Sequence, residues 1–190
     1  LINQAHMKNF QYFLSLSTCH VFKKSFNKLS ESSEKKPSNY YGVTKKLLEE
    51  YVLKNQNKYK FPIGIARIFN YYNKQSDKNF FINEIIDKLN SRKNIIKFKN
   101  VNTYRDYIDI NDLNSALFTM IRLKLKNDYN ICSGYKIMLK DIIIYLNKLY
   151  KNKQIFFDKK ITKDLIGSNS KLKKKGWVIE KRYFLNDFQR

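Results

Sequence analysis

Three segments near the start of the chain constrain its fold more than any other feature. Residues 9–18, "NFQYFLSLST", and residues 61–69, "FPIGIARIF", are short apolar runs of strand length. Between them Tyr41, Val43, Thr44, Leu47, Leu48, Tyr51 and Val52 recur at helical spacing over residues 38–54, with Ser38 placed to act as N-cap. A strand, a helix and a second strand in that order call for parallel strands joined by a right-handed crossover, hence an α/β sheet. The alternation continues, with helices expected over 79–91, 111–125 (capped by Asn111 or Asp112) and 139–150. Strands are expected over 94–98, 129–132 and 154–157. "GSNSKLKKKGW" reads as a brief helix begun by Ser168 and Asn169 and stopped by Gly176, with Trp177 folded back onto the body.

In a parallel α/β sheet, ligands gather in the loops at the carboxyl ends of the strands. The one long loop, residues 23–38, follows the first strand directly and is basic and polar. Lys and Arg total 38 against 16 Asp and Glu, a net charge of +22, which raises phosphate-bearing partners. The lysines are spread over the whole chain and arginine is scarce, so nucleic acid is not the favoured partner. An anionic small molecule would be attracted by the same field. Cys19 and Cys132 stand far apart without metal-ligand spacing, so neither a disulfide framework nor a metal site is expected. The longest apolar run, around "DIIIYL", is too short to span a bilayer, and no signal-peptide pattern opens the chain. A soluble protein of the reducing cytoplasm, with no membrane partner, is the expectation.

Tyr41 and Lys45 are four residues apart on one helix face, which brings the ammonium near the phenol. A positive charge there favours phenolate and suits the tyrosine to general acid/base work. Among 14 tyrosines in so lysine-rich a chain, about two such pairs would arise by chance. The order of the neighbouring segments therefore carries the weight.

"FLSLSTCHVF", "YYGVTKKLLEE", "ARIFNYYN", "YRDYIDINDL", "YNICSG" and "SKLKKKGW" follow one another along nearly the whole chain. In that order they resemble the extended short-chain dehydrogenase/reductase family, the NAD-dependent sugar-nucleotide epimerases, dehydratases and reductases. The resemblance implies the C-terminal part of a Rossmann-like parallel sheet with a smaller α/β substrate-binding lobe. Residues 1–72 would be the remaining cofactor domain and residues 73–190 the lobe, with a strand near 129–132 returning to the sheet. It implies Tyr41 as acid/base, Lys45 as holder of the nicotinamide ribose of NAD or NADP, and Thr18 as hydrogen-bond partner of the reacting oxygen. Asn70 and Arg105 would bind a nucleotide-diphosphate sugar, the planar guanidinium suiting a diphosphate. The bland alternatives are a strand-end turn residue for Thr18 and a salt bridge from Arg105 to Asp106 or Asp109. A homodimer through paired helices is also raised by the resemblance.

Two departures shape the expected function. Dehydratases of this family carry acidic residues just after the hydroxyl residue, where this chain has Cys19 and His20, which disfavours elimination unless His20 substitutes. Reduction of a nucleotide-linked 4-keto sugar is the leading expectation, ahead of 4-epimerisation and dehydration. Cys19 matches a proton-transfer cysteine of one reductase branch, or is simply a small packed residue. The second departure is the family's G-x-x-G-x-x-G turn, which none of the five glycines forms. On the match, the chain opens about a third of the way into the family pattern, as a piece of a longer enzyme or a truncated product would. A non-catalytic remnant, or a basic domain binding anions or nucleic acid, is the alternative from another class.

Overall fold

The computed structural model describes residues 10–73, 81–150, 152–161 and 164–180. Strand β1 (Phe13–Thr18) runs through a 3-10 turn (Cys19–Val21) and a long loop into α1 (Tyr40–Asn55), followed by β2 (Ile63–Ile68) and β3 (Asn70–Tyr72). Next come α2 (Phe81–Asn90), β4 (Ile95–Phe98), β5 (Tyr104–Arg105), β6 (Tyr107–Asp109) and α3 (Ile110–Arg122). β7 (Asn127–Ile131), β8 (Ile137–Met138), α4 (Leu139–Tyr150), β9 (Gln154–Phe157) and α5 (Ser170–Lys173) complete the order.

The principal sheet is parallel, in the order β1-β2-β7. β2 is its centre and is buried at five of six positions, the near-continuous apolar pattern of a strand covered on both faces. Its register aligns Thr18, Ile68 and Ile131, so the segments after all three strands emerge at one carboxyl edge. Three two-stranded pairings, β3 with β6, β4 with β9 and β5 with β8, extend the α/β architecture.

Helical periodicity explains the main cores. Ile82, Ile85 and Leu89 of α2 meet Ile142, Ile143 and Leu146 of α4 over Ile96 and Phe98 of β4. Leu113, Ala116 and Met120 of α3 pack on Ala66, Tyr129 and Ile131 of the sheet, together with Leu172 and Trp177. Trp177 is buried and its Nε1 donates to Ser115 Oγ at 3.0 Å. Gly176 precedes it with φ +89°, the left-handed turn that ends the short helix.

α4 and β9 occupy their expected spans, while the caps differ. Asn39, one residue after Ser38, caps α1, its side-chain oxygen accepting from Gly42 N at 2.7 Å. Asp109 caps α3 by accepting from Asn111 N at 2.8 Å. Asp112 turns inward instead and accepts the Glu180 N–H at 2.9 Å, tying the C-terminal segment to α3. Asn, Ser and Asp compete almost equally for a cap, so the expected caps fall one residue from the observed one in α1 and two or three in α3. Residue 9 of the first expected strand and residues 79 and 80 of the next helix lie outside the described residues.

Asp106 joins the segments at the carboxyl edge. Its fully buried carboxylate accepts from Ser133 N (2.8 Å), Ser133 Oγ (2.6 Å), Gly134 N (3.0 Å) and Gly167 N (3.1 Å). Its backbone carbonyl accepts from Asn70 Nδ2 at 3.3 Å. Close by, Cys19 and Cys132 pack with Val21, Phe22, Leu29, Phe69 and Leu165. Burial pushes the Cys19 thiol up to about 12 and the Cys132 thiol well above its usual range.

Both cysteines are therefore expected to resist a thiol-reactive dye in the native protein at pH 8 and to react together after denaturation. Rapid labelling of the native chain would contradict this packing. Asp106→Asn would set an amide donor against backbone donors, and is expected to cost about 3 kcal/mol of stability, read as a lower denaturant midpoint.

Candidate active site

Thr18 ends β1, and its Oγ1 accepts the His20 N–H at 3.3 Å, closing the Cys19–Val21 turn. The turn presents the His20 carbonyl to the first turn of α1. A Cβ on Gly42 would stand 2.3 Å from that oxygen and 2.8 Å from Pro37 Cβ, so only glycine allows so close an approach. The helix start is thereby pressed onto the strand end. Tyr41, beside Gly42, lies edge-on to the His20 ring with centroids 6.1 Å apart. Tyr41 is half exposed, whereas Tyr40 is almost fully exposed at 91%.

Lys45 follows one turn later. Its Nζ donates to the Leu16 carbonyl at 2.9 Å and lies 5.9 Å from the centre of the Tyr41 ring. The expected tyrosine and lysine thus share one helix face against β1, with Thr18 and His20 at its end. Burial, then the charges of Arg105 and Lys24, hold the His20 imidazole below its usual pKa.

Asn70 opens β3 directly beyond β2, at the same edge, with its carboxamide nitrogen on the Asp106 carbonyl. Arg105 lies on β5, and its charge reaches both His20 and Cys19. Its Nη1 donates to Thr103 Oγ1 at 2.8 Å and to the Tyr104 carbonyl at 2.9 Å. Asp106 and Asp109, the ion-pair partners considered from sequence, hold the edge loops and cap α3 respectively. Asn130 lies within β7, where its Nδ2 donates to the Leu29 carbonyl at 2.9 Å. A cavity of about 680 Å³ lies between Phe26, Tyr104, Met138 and Phe157, and none of the sequence-predicted site residues lines it.

Sequence reasoning missed three buried charged residues, Glu49, Arg67 and Asp106. Asp106 gives no local signal because its partners lie 27 to 61 residues away. Arg67, inside an apolar strand, should have stood out, since a charged residue there must find a buried partner. It finds Glu49, four residues beyond Lys45, with Nε and Nη2 donating to the two carboxylate oxygens at 2.8 Å each.

Comparison with known proteins agrees with this fold. Residues 1–132 match the NAD dependent epimerase/dehydratase family. The chain is 29% identical over 154 residues to a GDP-6-deoxy-D-talose 4-dehydrogenase of Aggregatibacter actinomycetemcomitans, covering 76% of this chain and 51% of that protein. It is also 29% identical over 154 residues to a dTDP-D-glucose 4,6-dehydratase of Homo sapiens, covering 80% and 44% respectively. It spans about half the length of these curated relatives.

In fold, the chain resembles RMD from Pseudomonas aeruginosa complexed with NADPH, with a TM-score of 0.82 at 21% identity. The likeness covers 95% of this chain and 65% of that one. A UDP-N-acetylglucosamine 4-epimerase from Methanobrevibacter ruminantium M1, solved with UDP-N-acetylmuramic acid, also gives 0.82, at 18% identity and with coverages of 96% and 62%. The family match covers well over half of the 190 residues, and the chain belongs to the NAD dependent epimerase/dehydratase family.

Proposed function

We propose that this chain carries the catalytic and substrate-binding part of an NAD- or NADP-dependent enzyme that reduces the 4-keto group of a nucleotide-diphosphate sugar. The observation that carries the reading is the convergence of Thr18, Tyr41 and Lys45 at the carboxyl end of β1, permitted by the close approach of Gly42 to the His20 carbonyl. Residues 1–72 serve the nicotinamide side and residues 73–190 form the substrate lobe, apart from β7, which returns to the principal sheet.

The donor set fits a nicotinamide ribose. Among the described residues, Lys45 uses one of its three ammonium donors, on Leu16, leaving two for ribose hydroxyls. None of the five glycines forms the clustered turn that would hold a pyrophosphate. A bound reduced nicotinamide supplies the hydride that the keto carbon accepts. Thr18 donates a hydrogen bond to the carbonyl oxygen and orients it. Tyr41 gives that oxygen its proton as it becomes a hydroxyl, and the Lys45 ammonium stabilises the phenolate left behind. Arg105 offers its fork to the diphosphate, and the Asn70 carboxamide oxygen accepts from a sugar hydroxyl.

A 4-epimerase would use the same groups, and a UDP-N-acetylglucosamine 4-epimerase shares the fold. The two differ in accounting: a reductase consumes one reduced nicotinamide per sugar, whereas an epimerase consumes none. Dehydration is less well supported. Of the two residues after Thr18, Cys19 is a buried neutral thiol, leaving only His20 for proton removal from carbon.

Turnover of 4-keto nucleotide sugars, followed by loss of reduced-nicotinamide absorbance and product analysis, tests the reading in the protein that contains this chain. Tyr41→Phe is expected to lower kcat about 10³-fold. Unchanged turnover would remove Tyr41 from the chemistry. Arg105→Ala is expected to raise KM about 10-fold or more, with a smaller effect on kcat, because it removes a charge-assisted contact to a group distant from the reacting carbon.

A further inference from the structure

Tyr41, Lys45 and Glu49 are spaced at four-residue intervals, a stripe with about 6 Å between successive members along α1. Each touches β1 or the turn that ends it. Tyr41 meets the His20 ring, Lys45 bonds the Leu16 carbonyl, and Glu49 Oε1 accepts from Ser17 Oγ at 2.6 Å. The three contacts differ in kind. The first is an edge contact between partly exposed rings, and the second reaches a backbone carbonyl from an exposed ammonium. Only the third is buried and charge-assisted, with Glu49 at 1% exposure and Ser17 at 4%.

Apolar packing does little to set the helix against the strand. The residues α1 buries are Gly42, Glu49 and Val52, while Val43, Leu47, Leu48 and Tyr51 remain exposed. A helix with so narrow an apolar contact could slide or turn over the sheet with small loss. Gly42 permits a close approach without specifying direction. Glu49 is gripped from two strands at once: Ser17 and Arg67 are register partners on β1 and β2, and both donate to its carboxylate. Arg67 is held in turn by Asp128 on β7 and by the Glu31 carbonyl of the long loop.

The geometry points to Glu49 as a positioning residue that, through Ser17 and Arg67, fixes the slide and rotation of α1 and so sets Tyr41 and Lys45 against Thr18. Ser17 is covalently next to Thr18, so one clamp fixes both sides of the site. The assignment rests on the proposed chemistry for its kinetic consequence, but its structural content is independent of any substrate.

The test compares Glu49→Gln and Ser17→Ala with Val52→Ala. Val52 is buried on the same helix but lies outside the clamp and the site. Glu49→Gln leaves Arg67 paired with Asp128, and Ser17→Ala removes one hydroxyl, so folding can be retained in at least one variant. In solution NMR of the chain, contacts between the Tyr41 and His20 ring protons are expected in the unaltered protein and in Val52→Ala. They are expected to weaken or vanish in Glu49→Gln and Ser17→Ala. In the catalytically competent protein, those two variants are expected to lose about 10- to 100-fold in kcat, with KM for the nucleotide sugar changed less than about 3-fold. Val52→Ala should lower the melting temperature without that loss of kcat. Intact Tyr41–His20 contacts in both clamp variants, or an equal loss of kcat in Val52→Ala, would overturn the assignment. If the unaltered protein turns over no nucleotide sugar, the proposed function fails, while the ring contacts still decide the role of Glu49.

Discussion

The fold turns on one guanidinium with no access to water. Arg67 lies near the carboxyl end of β2, the central strand, and is bound by Glu49 of α1, Asp128 of β7 and the Glu31 carbonyl of the long loop. Phe22 lies against it, 5.1 Å from ring centre to Cζ. A buried ion of this kind adds little net stability compared with a well-packed apolar side chain, because desolvation consumes most of its Coulomb attraction. What it supplies is geometry. Removing the guanidinium would strip the buried Glu49 carboxylate of its charge-assisted partner, typically at a cost of about 3 to 5 kcal/mol, so arrangements that separate α1 from β2 are disfavoured.

That constraint explains how an α/β unit with an unusually polar helix can still hold a precise edge. β1, β2 and β7 end in register, and Thr18, Asn70 and the turn of Ser133 and Gly134 stand at or just beyond those ends. Asp106 does for this outer rim what Arg67 does beneath it. One buried carboxylate draws Ser133, Gly134 and Gly167 together, and its own carbonyl holds Asn70. Arg105 is its sequence neighbour, so the segment that steadies the rim also delivers a cation to it.

Local sequence carried the parts of this structure that local forces determine. The apolar runs of β1 and β2, the periodicity of α4 and the Gly176 stop were all legible, because each depends on residues close in the chain. The pairing of Tyr41 with Lys45 was legible for the same reason. The Glu49 to Arg67 clamp and the Asp106 hub were not, since their meaning lies in partners 18 to 61 residues distant. Glu49 looks like any solvent-facing glutamate in "KKLLEE", and nothing local separates it from Glu50, which lies on the surface. The placement of Arg67 among apolar residues was the one available hint, and reading it requires knowing that the strand is central.

The same internal ties bear on the meaning of the net charge. Five acidic residues, Glu49, Asp106, Asp109, Asp112 and Asp164, are buried and spent on clamps, caps and loop anchors. These carboxylates are withdrawn from the solvent-facing surface, which is therefore more positive than the formal +22 distributed evenly would suggest. Such a field draws any polyanion towards the molecule without choosing among them. On the proposed function, choice falls to the carboxyl edge, where Lys45 and Arg105 would offer donors beside a phenol and a hydroxyl, a combination that would suit a small diphosphate bearing a carbonyl better than a nucleic-acid backbone.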